Sequence, residues 1–438
     1  MNRNTFYISA PIDTYSGYGA RSRDLVKAII ELDKYDVKIL AQRWGSTPWG
    51  FCEDHKEWCF LNDYLVTNIT EKPDIWAQCT IPSEFQPIGK YNIGFTAGIE
   101  ATVCAPDWIE GLNRMDVTFV SSEHSKNIFE QVAFEKKDEK TGQTLGKIEL
   151  LKPVEVLFEG VNIDTYKPLK DFKSNSINLG EMKESFAFLH CGMWLQGDIG
   201  EDRKNIGMTI KVFLETFKNK MNPPALLLKV SQGTSSYMGR DAVLERIEKI
   251  KATVKSNRLP NVYLLNGDLT DEEMNELYNH PKVKAMVSFT KGEGFGRPLL
   301  EFSTVGKPII TSAWSGHTDF LHEEYTSLIG GELTPIHPSA ANKWLLPEAQ
   351  WFTIDYSTAG GHLRDMFENY KEYKVRSKKQ AVISTKEFSY DVMKDLLGER
   401  LEQLVPKLAK IVELKLPQFG RFTFFHCDWG HNKTQYFN

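Results

Sequence analysis

The chain lacks most of the features that would assign it quickly. Its six cysteines, Cys52, Cys59, Cys79, Cys104, Cys191 and Cys427, are scattered, and no two form a Cys-x-x-Cys pair. That spacing offers neither a zinc site nor a disulfide framework, so most are expected as reduced core thiols. No apolar run approaches the roughly 18 residues that a membrane span needs. The start, MNRNTFYISAPID, is polar and leads into a short strand, unlike the apolar stretch of a secretory leader. A net charge of −5 leaves no global basic field for nucleic acid or a membrane surface, although local patches stay open. The glycine loop after the first strand is not G-x-G-x-x-G, so a dinucleotide fits poorly. No Asp-x-Asp sits at a strand end, so no metal is called for, and no cofactor is expected. What is present is 438 residues of ordinary apolar and charged content, room for about two domains with a core each. A cytosolic enzyme is the simplest reading.

The densest information lies in KGEGFGRPLLEFSTVGKPIITSAWSGHTD, Lys291 to Asp319. Strand-like AMVSF precedes it, a helix is expected to start near Pro298, and a second strand is expected from Pro308 to Thr311. Glycines at a strand-to-helix turn let a ligand approach the backbone, and the helix start offers free N–H groups. Glu293 would sit in the turn, facing the ligand. Glu301, eight positions on, would lie in the first or second helical turn, within reach of the same cleft. Ionised carboxylates accept hydrogen bonds from hydroxyls and repel phosphate. Two of them around a phosphate-binding turn suggest a ligand carrying both, such as a nucleotide sugar.

This stretch resembles the E-x7-E motif of the family-4 retaining glycosyltransferases, which have the GT-B fold. The form here is E-G-F-G-R-P-L-L-E followed by G-K-P-I-I-T-S. The resemblance implies an α/β protein with two Rossmann-like domains facing a central cleft and a C-terminal helix crossing back to the first domain. It implies that Glu293 contacts the donor sugar and Glu301 the nucleotide ribose, with Gly294, Phe295 and Gly296 in the donor turn. It further implies a diphosphate held by an Arg and a Lys at the start of a helix in the second domain. The usual Arg position carries Met193; Arg203 or Arg297 could substitute, and Lys204 matches best.

The rest of the chain is read in the same frame. Thr5 to Ala10 is a strand, PIDTYSGYG a loop, and Ala20 to Leu32 a helix with Leu25, Val26, Ile29 and Ile30 on one face. Gly17 and Gly19, with Arg21 or Arg23, resemble the family's glycine loop opposite the donor phosphates. Trp44 and Trp49 could stack on an acceptor or fill space under their loop. The family usually carries a His after the strand equivalent to Tyr91–Thr96. This chain offers Glu100 instead, which could accept from a sugar or acceptor hydroxyl, or simply be solvated or cap a helix. Residues 135–152, polar and Lys-rich, read as an inserted hairpin or loop. The phrase E-G-V-N-I-D-T-Y-K-P, Glu159 to Pro168, is similar to the family's strand end closing the first domain. Expected domains are therefore 1–170 for the acceptor and 171–410 for the donor, with the aromatic tail 411–438 packing on the first.

The implied activity is retaining, metal-independent transfer from a nucleoside-diphosphate sugar, UDP-linked by preference. The phrases SGYGARSRDL and I-E-A-T…P-D-W-I-E-G-L-N-R-M-D look like phage-encoded members, some of which glycosylate 5-hydroxymethylated pyrimidines in double-stranded DNA. That would place the protein in a host cytoplasm. A lipopolysaccharide or other glycan acceptor, a GT-B epimerase or phosphorylase, and a non-catalytic nucleotide-sugar-binding protein remain alternatives.

Overall fold

The structure, a computed structural model, describes residues 3–138, 141–174, 176–233 and 236–408. Strands of the first half read as short apolar runs, IWAQC and VTFV among them, and both are buried along their whole length. Strands buried on both faces belong in a parallel sheet covered by helices. That is what forms: β1 (Asn4–Ala10), β2 (Tyr35–Ala41), β3 (Ile75–Cys79), β4 (Tyr91–Thr96) and β5 (Val117–Val120), with β8 (Val154–Val156), make one six-stranded sheet, ordered β2-β1-β3-β4-β5-β8. Every pairing in it is parallel. Helices α1 (Gly17–Glu31), α2 (Phe51–Asp54), α3 (Pro106–Arg114) and α4 (Glu123–Gln131) connect the strands. Ser16 caps α1 through its side chain, and Ser122 caps α4. The inserted segment is an antiparallel hairpin, β6 (Ala133–Lys137) with β7 (Thr144–Glu149). Lys136 pairs with Glu110 at 3.1 Å and Lys147 with Glu149 at 2.5 Å.

The second half repeats the plan. β9 (Ala187–Met193), β10 (Ala225–Ser231), β11 (Val262–Leu264), β12 (Val283–Ser288), β13 (Ile309–Ser312) and β14 (Ser327–Ile329) form a parallel sheet ordered β11-β10-β9-β12-β13-β14. Its helices are α5 (Ile206–Phe217), α6 (Tyr237–Ala252), α7 (Asp271–Asn279) and α8 (Arg297–Thr304). Thr270 and Glu273 close a full capping box on α7. Three helices follow: α9 (Tyr356–Glu368), α10 (Tyr370–Glu387) and α11 (Tyr390–Leu404). The antiparallel pair β15 (Gly331–Pro335) and β16 (Gln350–Ile354) was not anticipated.

Three segments away from the strand-end turns help tie the halves together. The segment after β8 makes a parallel bridge at Val161 with Ser389, and Tyr166, Lys167 and Leu169 bond to Asp271, Asn275 and Asn279 of α7. This segment is therefore pinned to the second half along much of its length. α11 returns to the first half: Gly398 lies against Leu32, Tyr390 donates to Glu31 at 3.0 Å, and Lys34 pairs with Glu402. Finally, Ile336, Ala340, Ala349 and Trp351 bury in the core of the first half, beside Trp76, Phe85 and Trp108. The described residues up to 405 form one compact unit; the tail 411–438 lies outside the described residues. Among the described residues, five cysteines are free thiols and no helix is long and apolar enough to cross a membrane.

Candidate active site

In an open parallel sheet, ligands bind at the carboxyl ends of the strands where the strand order reverses. In the second sheet that point lies between β9 and β12, in the first between β1 and β3. The loop after β9 carries Arg203 and Lys204, the turn after β12 carries Glu293, and the loop after β1 carries Gly17 and Gly19. A cavity of about 360 Å³ opens between the halves here. The first half contributes Tyr15, Ser16, Gly17, Arg23 and Asp24 to it, and the second contributes Gly192, Met193, Lys229, Asp268, Asp271, Arg297 and Glu301.

Glu293 is 6% exposed and held by two cations. Lys204 Nζ donates to both of its oxygens, at 2.7 and 2.8 Å, and Arg203 reaches it at 3.4 Å. Burial pushes this carboxyl up, but the two cations outweigh it and hold it down at about 2. Burial lowers Lys204 in spite of Glu293. Arg203 also donates to the Gly292 carbonyl at 2.8 Å and lies 3.5 Å from Glu100 of the first half. Glu100 thus faces an arginine across the cleft.

The backbone around Glu293 is clamped. Its N–H donates to Ser315 Oγ at 2.9 Å, and Gly316 N–H donates to its carbonyl at 3.0 Å. Ser315 holds φ at 78°, a conformation that L residues rarely adopt and that costs about 1–3 kcal/mol. The glycines are demanded by contact. A Cβ at Gly292 would stand 2.1 Å from the Glu100 carbonyl oxygen, and one at Gly294 2.6 Å from that of Ala97. The turn therefore presses directly on the loop after β4.

Eight residues on, Glu301 meets a different setting. Arg297 Nε donates to it at 2.9 Å and Tyr278 OH at 3.2 Å. The same guanidinium donates to Asp24 of α1 at 2.6 Å, which joins the halves. Burial pushes the Glu301 carboxyl up to about 7, against the pull of Arg297 and with the push of Asp271. Arg297, the alternative diphosphate ligand, is engaged by these two carboxylates.

The structure brings Glu293, Arg203, Lys204 and Glu100 into one cluster and places Glu301 and Gly17 on the cavity wall. It does not place the remaining glycine-loop and turn residues there. Gly19 sits under the loop, its N–H taken by Ser16 Oγ and a Cβ excluded 2.3 Å from the Thr14 carbonyl oxygen. Phe295 points into the core of the second half beside Phe320, 5.0 Å between ring centres. Gly294 packs on Ala97, and Gly296, at φ 97°, starts α8. Arg21 donates to the carbonyls of Leu157 and Phe158, and Arg23 to those of Ile12 and Thr14, so both brace the first half, Arg23 from the cavity wall. Trp44 stacks on Tyr18 at 3.9 Å, and Trp49 lies under Arg43. Sequence reasoning missed Asp24 and Ser315. The run R-S-R-D on the apolar face of α1 was the available signal for the first, since charges there need buried partners; Ser315 had none.

In fold the chain is similar to several solved structures. They include sucrose-phosphate synthase from Thermosynechococcus elongatus (12% identity, TM-score 0.59, 92% of this chain and 99% of that one). HepE from Anabaena in complex with UDP-glucose follows (13%, 0.58, 92% and 100%). A glycosyltransferase from Rickettsia africae is alike to the same degree (12%, 0.58, 93% and 100%). The fold is thus GT-B, shared over nearly the whole chain. No protein-family model matches the chain, and no curated sequence does.

Proposed function

We propose that this chain is a retaining glycosyltransferase that uses a nucleoside-diphosphate sugar, UDP-linked as in the HepE complex, with residues 1–170 as acceptor domain and 171–410 as donor domain. The observation that carries this reading is the Lys204–Glu293–Arg203 cluster at the strand-order reversal of the second sheet, beside a cavity that ends at Glu301. Glu301 accepts from the ribose hydroxyls. The diphosphate competes with Glu293 for Lys204 and Arg203, and this frees the Glu293 carboxylate to accept from the sugar. When the anomeric C–O bond breaks, its electron pair goes to the departing phosphate oxygen. Lys204, Arg203 and the start of α5 stabilise that charge where water is excluded. The acceptor hydroxyl adds on the same face, its proton passing to the departing phosphate oxygen, and this retains the configuration. No metal enters this scheme.

The acceptor is a hydroxyl. The 5-hydroxymethylated pyrimidine of DNA rests on the sequence phrases of the first half alone. UDP- and GDP-sugars offered with duplex DNA carrying 5-hydroxymethylcytosine, read by nucleoside mass spectrometry and by UDP or GDP release, test both levels. A sugar-sized mass gain supports the DNA acceptor. Nucleotide release without that gain keeps the transferase and removes the DNA acceptor. No binding and no release with any donor removes the transferase.

A further inference from the structure

Two histidines, His190 and His317, lie beside the Glu293–Lys204 pair, a third, His124, lies next to His317, and the scheme above uses none of them. His190 and His317 are fully buried. His190 Nδ1 lies 2.9 Å from the Val287 carbonyl oxygen, and His317 Nε2 lies 2.7 Å from that of Ser312. His124, at the start of α4 in the first half, bonds the Ile99 backbone and stands edge-on to Trp314, ring centres 4.6 Å apart. A carbonyl oxygen only accepts, so the ring nitrogen facing it carries the hydrogen, and the other nitrogen of a neutral ring is a bare lone pair. Those other nitrogens, His190 Nε2, His317 Nδ1 and His124 Nε2, are buried and have no hydrogen-bond partner among the described residues. Burial keeps the rings neutral, His190 and His124 down at about 4.

The three belong to one place. His190 and His317 each feel both Lys204 and Glu293 electrostatically, and His124 feels His317. A Cβ on Gly192, which lines the cavity, would stand 3.6 Å from His190 Nε2 and 3.7 Å from Lys204 Cδ. Gly296 brings the donor turn within 3.0 Å of His317 Cβ in the same sense. His124 arrives from across the cleft, where the neighbouring Glu123 N–H donates to Asp319 of the second half at 2.8 Å. The cluster thus divides by chemistry. Lys204 and Arg203 supply charge for phosphate, while Glu293 and three imidazole lone pairs can only accept. Buried acceptors left unpaired are costly, so the ligand group that completes them must bring donors.

Within the proposed function, we infer that His124, His190 and His317 form, with Glu293, an acceptor-only wall that reads the hydroxyls of the donor sugar, so that neutral polyhydroxyl sugars are taken and uronic-acid donors are refused. A carboxylate in that subsite would face lone pairs and a second carboxylate. Because His124 comes from the first half, this recognition is complete only when the two halves meet.

The test measures UDP release and kcat/KM for UDP-glucose, its monodeoxy analogues and UDP-glucuronic acid. The wild type, His317→Phe and His124→Phe are compared, with UDP affinity as the control for folding. Expected for the wild type is a penalty of roughly tenfold or more for at least one deoxy donor, and no use of the glucuronic donor. In the variants that deoxy penalty collapses toward onefold while UDP affinity is unchanged. His124 is half-buried, so its variant carries the test should His317→Phe fail to fold. UDP release with the same deoxy penalties in wild type and variants, or equal use of glucuronic and glucose donors, overturns the inference alone. No UDP binding and no UDP release with any of these donors overturns the UDP-linked reading, and this inference with it.

Discussion

Glu293 and Glu301 stand eight residues apart in one motif, equally buried, and the fold treats them in opposite ways. Glu293 draws on two cations, Lys204 and an Arg203 that also faces Glu100, and is held at about 2; Glu301 shares one arginine with Asp24, lies near Asp271 and is pushed up to about 7. Burial raises both; the number of cations per carboxylate decides the outcome. One end of the cleft is thus a fixed anion wrapped in positive charge, suited to leaving-group chemistry. The other is a carboxyl that titrates near neutrality, suited to reversible pairing with hydroxyls.

Removing the charge at the first end should have the largest effect. Lys204→Ala is expected to lower kcat by about 10²–10³-fold, as loss of one preorganised charge-stabilising donor does elsewhere. Steady-state UDP release checks it, and a variant that changes only KM would show that Lys204 binds without stabilising the transition state. At the second end, Arg297→Ala strands Asp24 and Glu301, both buried. Breaking a buried pair in this way costs about 3–5 kcal/mol, visible as a lower urea midpoint. An unchanged midpoint would mean that solvent already screens the trio.

These contrasts also show what the sequence could and could not express. The strand, glycine turn and helix of Lys291–Asp319, the start of α5 and the position of α11 were legible because parallel strands, caps and turns leave local signatures. The pairing of Arg297 with Asp24 spans 273 positions, and no local pattern encodes it. The glycines were read as openings for a ligand. Of the four donor-turn and loop glycines, only Gly17 lines the cavity, and Gly19 and Gly294 are glycine because a carbonyl oxygen lies where Cβ would be. Position in the sequence showed that backbone comes close at those points, without showing whether the close group is ligand or protein. Likewise, three histidines on β9, α4 and the turn after β13 look unrelated until the sheets bring them together.

Two smaller effects sharpen the comparison. Glu301 is neutral in a growing fraction of molecules below its raised value, and ribose hydroxyls donate best to the ionised form. UDP-sugar affinity should therefore rise with pH between about 6 and 8, by up to about tenfold, and Glu301→Gln should flatten that slope in calorimetric titrations. The sign for stability is the reverse. A carboxyl that keeps its proton longer when folded than when unfolded makes the protein less stable as pH climbs from the ordinary glutamate range toward 7. The smallest change is expected from Gly192→Ala. Its Cβ would meet His190 and Lys204 at ordinary contact distances, so donor KM should rise only a few-fold with kcat kept.

The most direct test of the central claim is UDP release from UDP-glucose by the wild type and by Glu293→Gln, with UDP affinity measured on both. The account predicts turnover by the wild type and at least about a hundredfold loss in the variant, with UDP bound at least as tightly because Lys204 and Arg203 lose a competing carboxylate. Equal turnover by both proteins, or no UDP binding by either, would contradict it.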